Sequence, residues 1–206
     1  MILILLLLMN CLFLSYLYVL PSWLPSITTF PITTFPTQRD WWLHSVFYLG
    51  LSIICYLQYT LWWHILLHYC LFSFCYLIAY IDYRYRLISV LHCYTIILLA
   101  LLFAKLGLTP LSLEQAIVSF TIAFLASISV YFGCYFLLGK DKLGLGDVLL
   151  FSALSLLLYP AFLSYFLLIS CIMALLFVMV FKRQAKTLPF APSLIFSALI
   201  LFIYNR

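Results

Sequence analysis

Apolar residues run through this chain in blocks of about twenty, broken by short polar connectors. A helix needs about 20 apolar residues to cross a bilayer's hydrocarbon, ~30 Å thick. The pattern predicts helices over 1–20, 42–58, 61–81, 87–104, 116–138, 145–159, 161–181 and 188–204. The expected fold class is therefore all-α, a polytopic membrane protein with about eight transmembrane helices. The division inside 148–181 depends on Pro160. As one helix that stretch would measure about 51 Å, and proline removes a backbone donor and clashes with the preceding turn.

Composition agrees with the pattern: 68% of residues are hydrophobic and 7% charged, where a soluble domain has about 25% charged residues. The first twenty residues lack a basic start and a small-residue cleavage site, so they are read as a retained span rather than a signal peptide. Aromatic pairs such as Trp41-Trp42 and Trp62-Trp63 suit membrane interfaces.

The net charge of +5 carries topological information. With eight spans, Arg39, Arg84, Arg86, Lys140, Lys142, Lys182, Arg183 and Lys186 fall on one side, leaving Lys105 and Arg206 on the other. Basic residues favour the cytoplasmic face. The same scatter over short connectors argues against nucleic-acid binding, which needs a continuous basic patch. The first connector holds a tandem pentapeptide, Ile27-Thr28-Thr29-Phe30-Pro31 then Ile32-Thr33-Thr34-Phe35-Pro36. Proline at that density makes an extended, stiff linker. Residues 1–60 then form an N-terminal pair of spans with this connector, and residues 61–206 the main membrane domain.

Against this background the acids stand out, since only five of 206 residues are Asp or Glu. A charge placed in hydrocarbon costs ~2.5–3.5 kcal/mol on insertion scales, which makes such a group a functional candidate. Asp82 ends one apolar run, and Asp147 follows Gly144-Leu145-Gly146 at the start of another. On the eight-span topology both lie on the cytoplasmic side. Two close carboxylates cannot both ionise easily. One can then act as base on a water while the other, protonated, acts as acid toward a carbonyl. Asp147 taken alone also suits a helix N-cap. Gly144 and Gly146 permit either positive φ or close approach of a neighbouring chain.

Other candidates for chemistry are weaker. The seven cysteines form no C-x-x-C pair, so neither a zinc ribbon nor a disulfide framework is indicated. His64 and His68 are four apart but lack the Glu of H-E-x-x-H, and His92 and Cys93 read as packing residues. No metal and no cofactor is expected.

Three segments resemble the type IV prepilin peptidases, bacterial membrane aspartyl proteases of the G-x-G-D type. Residues 140–150 (KDKLGLGDVLL) are similar to the family's G-x-G-D segment. Ile81-Asp82, followed by Arg84, Arg86 and Leu87-Ile88, resembles its first aspartate motif. Leu188-Pro189-Phe190-Ala191-Pro192 resembles its Pro-Phe-Gly-Pro segment. Two departures are Ser89 where the family usually has proline and Ala191 where it has glycine.

The resemblance implies an aspartic endopeptidase of the bacterial inner membrane, with its active site facing the cytoplasm. It would remove the basic leader from type IV prepilins or pseudopilins. Asp82 and Asp147 would be catalytic, with Gly144 and Gly146 shaping the loop. Arg84, Arg86, Lys140, Lys142, Pro189, Phe190 and Pro192 would be candidates for substrate contact. Bifunctional members of the family carry a cysteine-rich cytoplasmic domain and also N-methylate the product. Here that position holds only the ITTFP repeat, so methyltransferase activity is not expected. Two alternatives remain: another G-x-G-D intramembrane protease, and a non-catalytic membrane component of a pilus or secretion apparatus.

Overall fold

The structure, a computed structural model, describes residues 2–27, 38–59, 61–85, 87–138, 144–181 and 189–204. Among these there are eight α-helices and no strand. They are α1 (Ile2–Ile27), α2 (Gln38–Gln58), α3 (Trp62–Tyr85), α4 (Val90–Lys105), α5 (Leu113–Leu138), α6 (Leu145–Ser155), α7 (Leu163–Phe181) and α8 (Ala191–Tyr204). The helices form two compact units, Met1–Ser73 and Phe74–Arg206, with the boundary inside α3.

In the first unit, α1 and α2 pack through polar as well as apolar contacts. Asn10 Nδ2 donates to Ser52 Oγ at 3.1 Å, and the buried Tyr69 hydroxyl donates to Asn10 Oδ1. Phe13 stacks on Tyr48 with ring centroids 5.7 Å apart. Where water is scarce, such side-chain hydrogen bonds tie helices together. They hold α1, α2 and the start of α3 in register.

The second unit is built around α6, which packs on α4, α5 and α8, while α7 packs on α8. Nearly every residue from Val148 to Leu158 is buried. A helix apolar all round belongs in such a position. Its end is set locally: Leu157 N–H reaches Leu154 O and Leu158 N–H reaches Ser155 O, tightening the last turn. Ser119 Oγ of α5 then donates to Leu158 O at 2.7 Å. Tyr159 is extended, as residues before proline are, and Pro160 opens a 3-10 turn, Pro160–Phe162. The break expected at Pro160 is thus present, with α6 already ended at Ser155. Phe151 stacks on Phe166 at 4.8 Å across α6 and α7.

Local signals set the other boundaries in this unit. Gly107, with φ of 66°, caps α4, its N–H reaching Ala104 O while Leu108 N–H reaches Phe103 O. Ser112 and Gln115 exchange reciprocal side-chain hydrogen bonds at the start of α5, a capping box.

The expectation of about eight transmembrane helices is corrected here. Among the described residues, three helices are long and apolar enough to cross a membrane: Trp62–Tyr85, Leu113–Leu137 and Pro160–Phe177. Of the rest, three are short helices. α4, α6 and α8 have 16, 11 and 14 residues, which is about 24, 17 and 21 Å of helix against a core of ~30 Å. In α1 and α2 the apolar stretches found among the described residues, Ile4–Leu17 and His44–Gln58, are shorter than a span. Hydropathy registers α6 as a span because it is apolar, yet that surface is covered by protein. Over the described residues the chain is an all-α membrane protein with three qualifying spans.

Candidate active site

Asp82 lies near the C-terminal end of α3, inside the second unit, and is 6% exposed. Its Oδ2 accepts the backbone N–H of Ala191 at 3.0 Å. Ala191 is the first residue of α8, where backbone donors have no partner within the helix. Its neighbours explain why this N–H is presented. Pro189 and Pro192 have no N–H and fix their own φ, so between Pro189 and Pro192 the main-chain donors are those of Phe190 and Ala191. Leu194 N–H closes the first turn onto Phe190 O at 3.1 Å. Asp82 therefore occupies the positive end of a helix dipole.

Asp147 is reached from the other side. Gly144, with φ −73° and ψ 138°, is the N-cap of α6, so Asp147 is its third residue and not its cap. Its own N–H bonds Gly144 O at 3.0 Å. Oδ1 of Asp147 is buried and has no hydrogen-bond partner among the described residues. The Asp147 carboxyl lies on α6, outside the three spans. It is pushed up to about 6, first by burial and then by the charge of Asp82, while a main-chain hydrogen bond from Gly144 works the other way. The two acids, 65 positions apart in sequence (147 − 82), thus interact electrostatically.

The glycines act through space rather than through backbone sign; neither has a positive φ. A Cβ on Gly146 would stand 2.7 Å from Ile88 Cβ, and one on Gly144 would stand 3.1 Å from Asp147 Oδ2. Gly146 thus lets the N-terminus of α6 lie directly on the segment that follows Asp82. This contact brings the first and second motifs together.

Beside Asp147 a groove of about 430 Å³ opens between α5, α6 and α7, with Phe190 also on its wall. Its lining is apolar apart from Asp147, two serines and Cys171.

Of the other residues singled out from sequence, Arg84 sits half-buried in the last turn of α3. Pro189 is buried, and Phe190 and Pro192 are half-buried, at the start of α8. Arg86, Lys140, Lys142 and residues 28–36 of the repeat lie outside the described residues. Sequence reasoning missed three participants: the Ala191 N–H, Ile88 as the partner of Gly146, and the groove. Only the groove had a signal, the spacing of Ala123, Ala126, Ser127 and Val130 on one face of α5.

The fold and this site define a class: a membrane protein holding two carboxylates together at the adjoining ends of separate helices. The chain belongs to the type IV leader peptidase family, which its residues 69–179 match. Both acids fall within that range. It is similar to the prepilin leader peptidase/N-methyltransferase of Haemophilus influenzae, with 31% identity over 125 residues, 61% of this chain and 54% of the relative. It is also similar to a type 4 prepilin-like proteins leader peptide-processing enzyme of Escherichia coli, with 37% identity over 86 residues, 42% of this chain and 32% of the relative. The chain thus spans about half the length of the first relative and a third of the second. No solved structure matches it.

Proposed function

We propose that this chain is a membrane aspartyl endopeptidase that removes the leader from prepilin-type substrates, with Asp82 and Asp147 as its catalytic pair. The observation that carries the reading is the unequal pairing of the acids. Asp82 accepts the Ala191 N–H, while Asp147 presents an oxygen with no partner among the described residues. Family membership, and the names of the two relatives, support the substrate class.

The chemistry follows from two coupled carboxyls sharing one proton. A water held between them loses a proton to the ionised carboxylate as its oxygen bonds to the scissile carbonyl carbon. The protonated partner gives its proton to the carbonyl oxygen. The tetrahedral intermediate then breaks its C–N bond: the amine leaves with a proton from one carboxyl while a hydroxyl of the intermediate gives its proton to the other, which yields the product acid and restores the singly protonated pair. Apparent pKa values belong to the pair rather than to either acid.

Arg84, Arg86, Lys140 and Lys142 flank both acidic motifs in sequence, and basic connectors favour the cytoplasmic side. The site then faces the cytoplasm at the bacterial inner membrane. There a basic leader stays in water while the apolar stretch behind it enters the bilayer.

The test is leader release from a model prepilin in membranes, with the mass of the new N-terminus measured. Asp82→Asn and Asp147→Asn, expressed at parental levels, should each abolish release. Parental rates in either variant overturn the assignment. The same mass reports any methylation.

A further inference from the structure

We infer that the groove between α5, α6 and α7 seats the apolar segment of the substrate immediately beyond the scissile bond, which enters sideways from the bilayer. The inference rests on the peptidase reading and adds where the membrane-embedded part of the substrate lies.

Three helix faces converge on the groove. From α5 come Ala123, Ala126, Ser127 and Val130, at spacings of three and four that put them on one face. Small residues at that spacing let another helix approach closely. From α7 come Leu163, Leu167 and Cys171, four residues apart. The floor is α6 itself, through Val148 and Phe151, with Asp147 at its start.

The groove is open on its bilayer side. Val130 and Leu167 are 57% and 50% exposed, whereas the floor residues Val148 and Phe151 are 1% and 9% exposed. α5 and α7 are two of the three spanning helices, so this opening is reached from lipid. An apolar helix already lying in the membrane can slide in without crossing water.

The occupant is indicated by what closes one end. α5 and α7 both run antiparallel to the short α6, so Val130 and Cys171 lie at the Asp147 end, and Ile122 and Leu163 at the far end. From Ile122 to Val130 the wall is about 12 Å long, roughly two helical turns. At the Asp147 end, Oδ1 lacks a partner among the described residues. A lipid chain offers that oxygen no donor. A peptide brings both an apolar helix for the groove and, at its frayed start, N–H groups and a bound water for the acid. A substrate seated this way has its scissile bond at the groove's end, beside Asp147.

The experiment uses the full chain in phosphatidylethanolamine–phosphatidylglycerol vesicles with a model prepilin. Ala126→Leu fills the wall and should raise KM about tenfold with kcat changed less than about twofold. Leu125→Phe, on the neighbouring exposed face outside the groove, should leave both unchanged. In parallel, single cysteines are scanned through the apolar stretch of the substrate and oxidised against native Cys171 in the Asp147→Asn background. Disulfides should form at positions three or four apart within the first two turns after the junction, and vanish in Cys171→Ser. Leader release with an unchanged KM in Ala126→Leu, or cross-links absent or spread evenly along the stretch, overturns the inference. So does Cys171 shielded by lipid and indifferent to substrate, which makes the groove a lipid seat. No leader release by the parental chain defeats the peptidase reading instead, and the cross-linking pattern still decides what occupies the groove.

Discussion

The backbone N–H of Ala191 donates to Asp82 Oδ2 at 3.0 Å, across 109 positions of sequence. That bond gives the third motif a physical task. The helix end at Ala191 supplies the donor, and the flanking prolines hold it in place. The usual glycine of this motif is not needed for the donor, because every residue except proline carries one.

Ala191→Pro removes this donor at the first helical position, where proline is otherwise tolerated. Hydrogen bonds to charged groups contribute about 1.5–3 kcal/mol. The variant should therefore lose about tenfold to a hundredfold in kcat. Ala191→Gly keeps the N–H and should process the substrate near the parental rate. Initial rates of leader release for the two variants side by side check this, and equal rates count against a role for the bond.

Gly146→Ala tests the contact between the two acid-bearing segments. The new methyl would meet Ile88 Cβ at 2.7 Å, and overpacking of that kind costs about 1–3 kcal/mol. Because the obstacle is the β-carbon, Ile88→Ala should not rescue the variant, whereas Ile88→Gly should restore part of the activity. Gly144→Ala meets only the movable carboxylate of Asp147, at 3.1 Å. It should lower kcat while leaving thermal stability close to parental. Melting temperatures and rates measured together distinguish the two glycines.

The pH dependence follows from Asp147, whose carboxyl is pushed up to about 6. The working pair holds one proton, so in the free enzyme kcat/KM should fall as pH rises through about 6 and the second proton leaves. A seated substrate excludes more water, which should move the corresponding limb of kcat to higher pH. Asp82→Asn removes the second cause of the shift but not the first. Carboxyl NMR of Asp147 in that variant should show a value lower than parental yet still above the ordinary 3.8. No change on removing Asp82 rules out coupling of the acids.

The same shift has a stability sign. The folded state holds the Asp147 proton more tightly than the unfolded chain does, so stability falls as pH rises from about 4 to about 6 and stays lowered above. Asp147→Asn should therefore be more stable than the parent at pH 7.5, by about 1–3 kcal/mol, with the difference vanishing near pH 4. Denaturation of both proteins in the same detergent across that range provides the comparison.

The acids were legible in the sequence because an ionisable residue among apolar blocks is costly and conspicuous, and Gly146 and Pro189 because their backbones are unusual. Helix positions were legible too, since long apolar blocks do form helices. The number of spans was not. Leu145–Ser155 has the hydropathy of a lipid-facing helix, and nothing in its residues says that α4, α5 and α8 cover it. Its early end comes from its own last turn, and the Leu158 carbonyl beyond it is met by Ser119, 39 positions earlier in the chain. Ala191 was illegible for a different reason, as its contribution is a main-chain N–H that any residue but proline would bring. Asp147 was open to reading as a cap. Only the conformation of Gly144 makes it the third residue of the helix, with an oxygen left over.

The burial of α6 also separates the site from its surroundings. Changes in bilayer thickness or lateral pressure act first on α5 and α7, whose sides face lipid. Asp147 rides on an element with almost no lipid contact, so those stresses reach it only through packed protein. Asp82 ends a spanning helix, but its buried carboxylate is tied to the start of α8, so substrate entry should respond to the membrane's physical state more than the spacing of the two acids does. In kinetic terms, lipid composition becomes a control on capture rather than on bond cleavage.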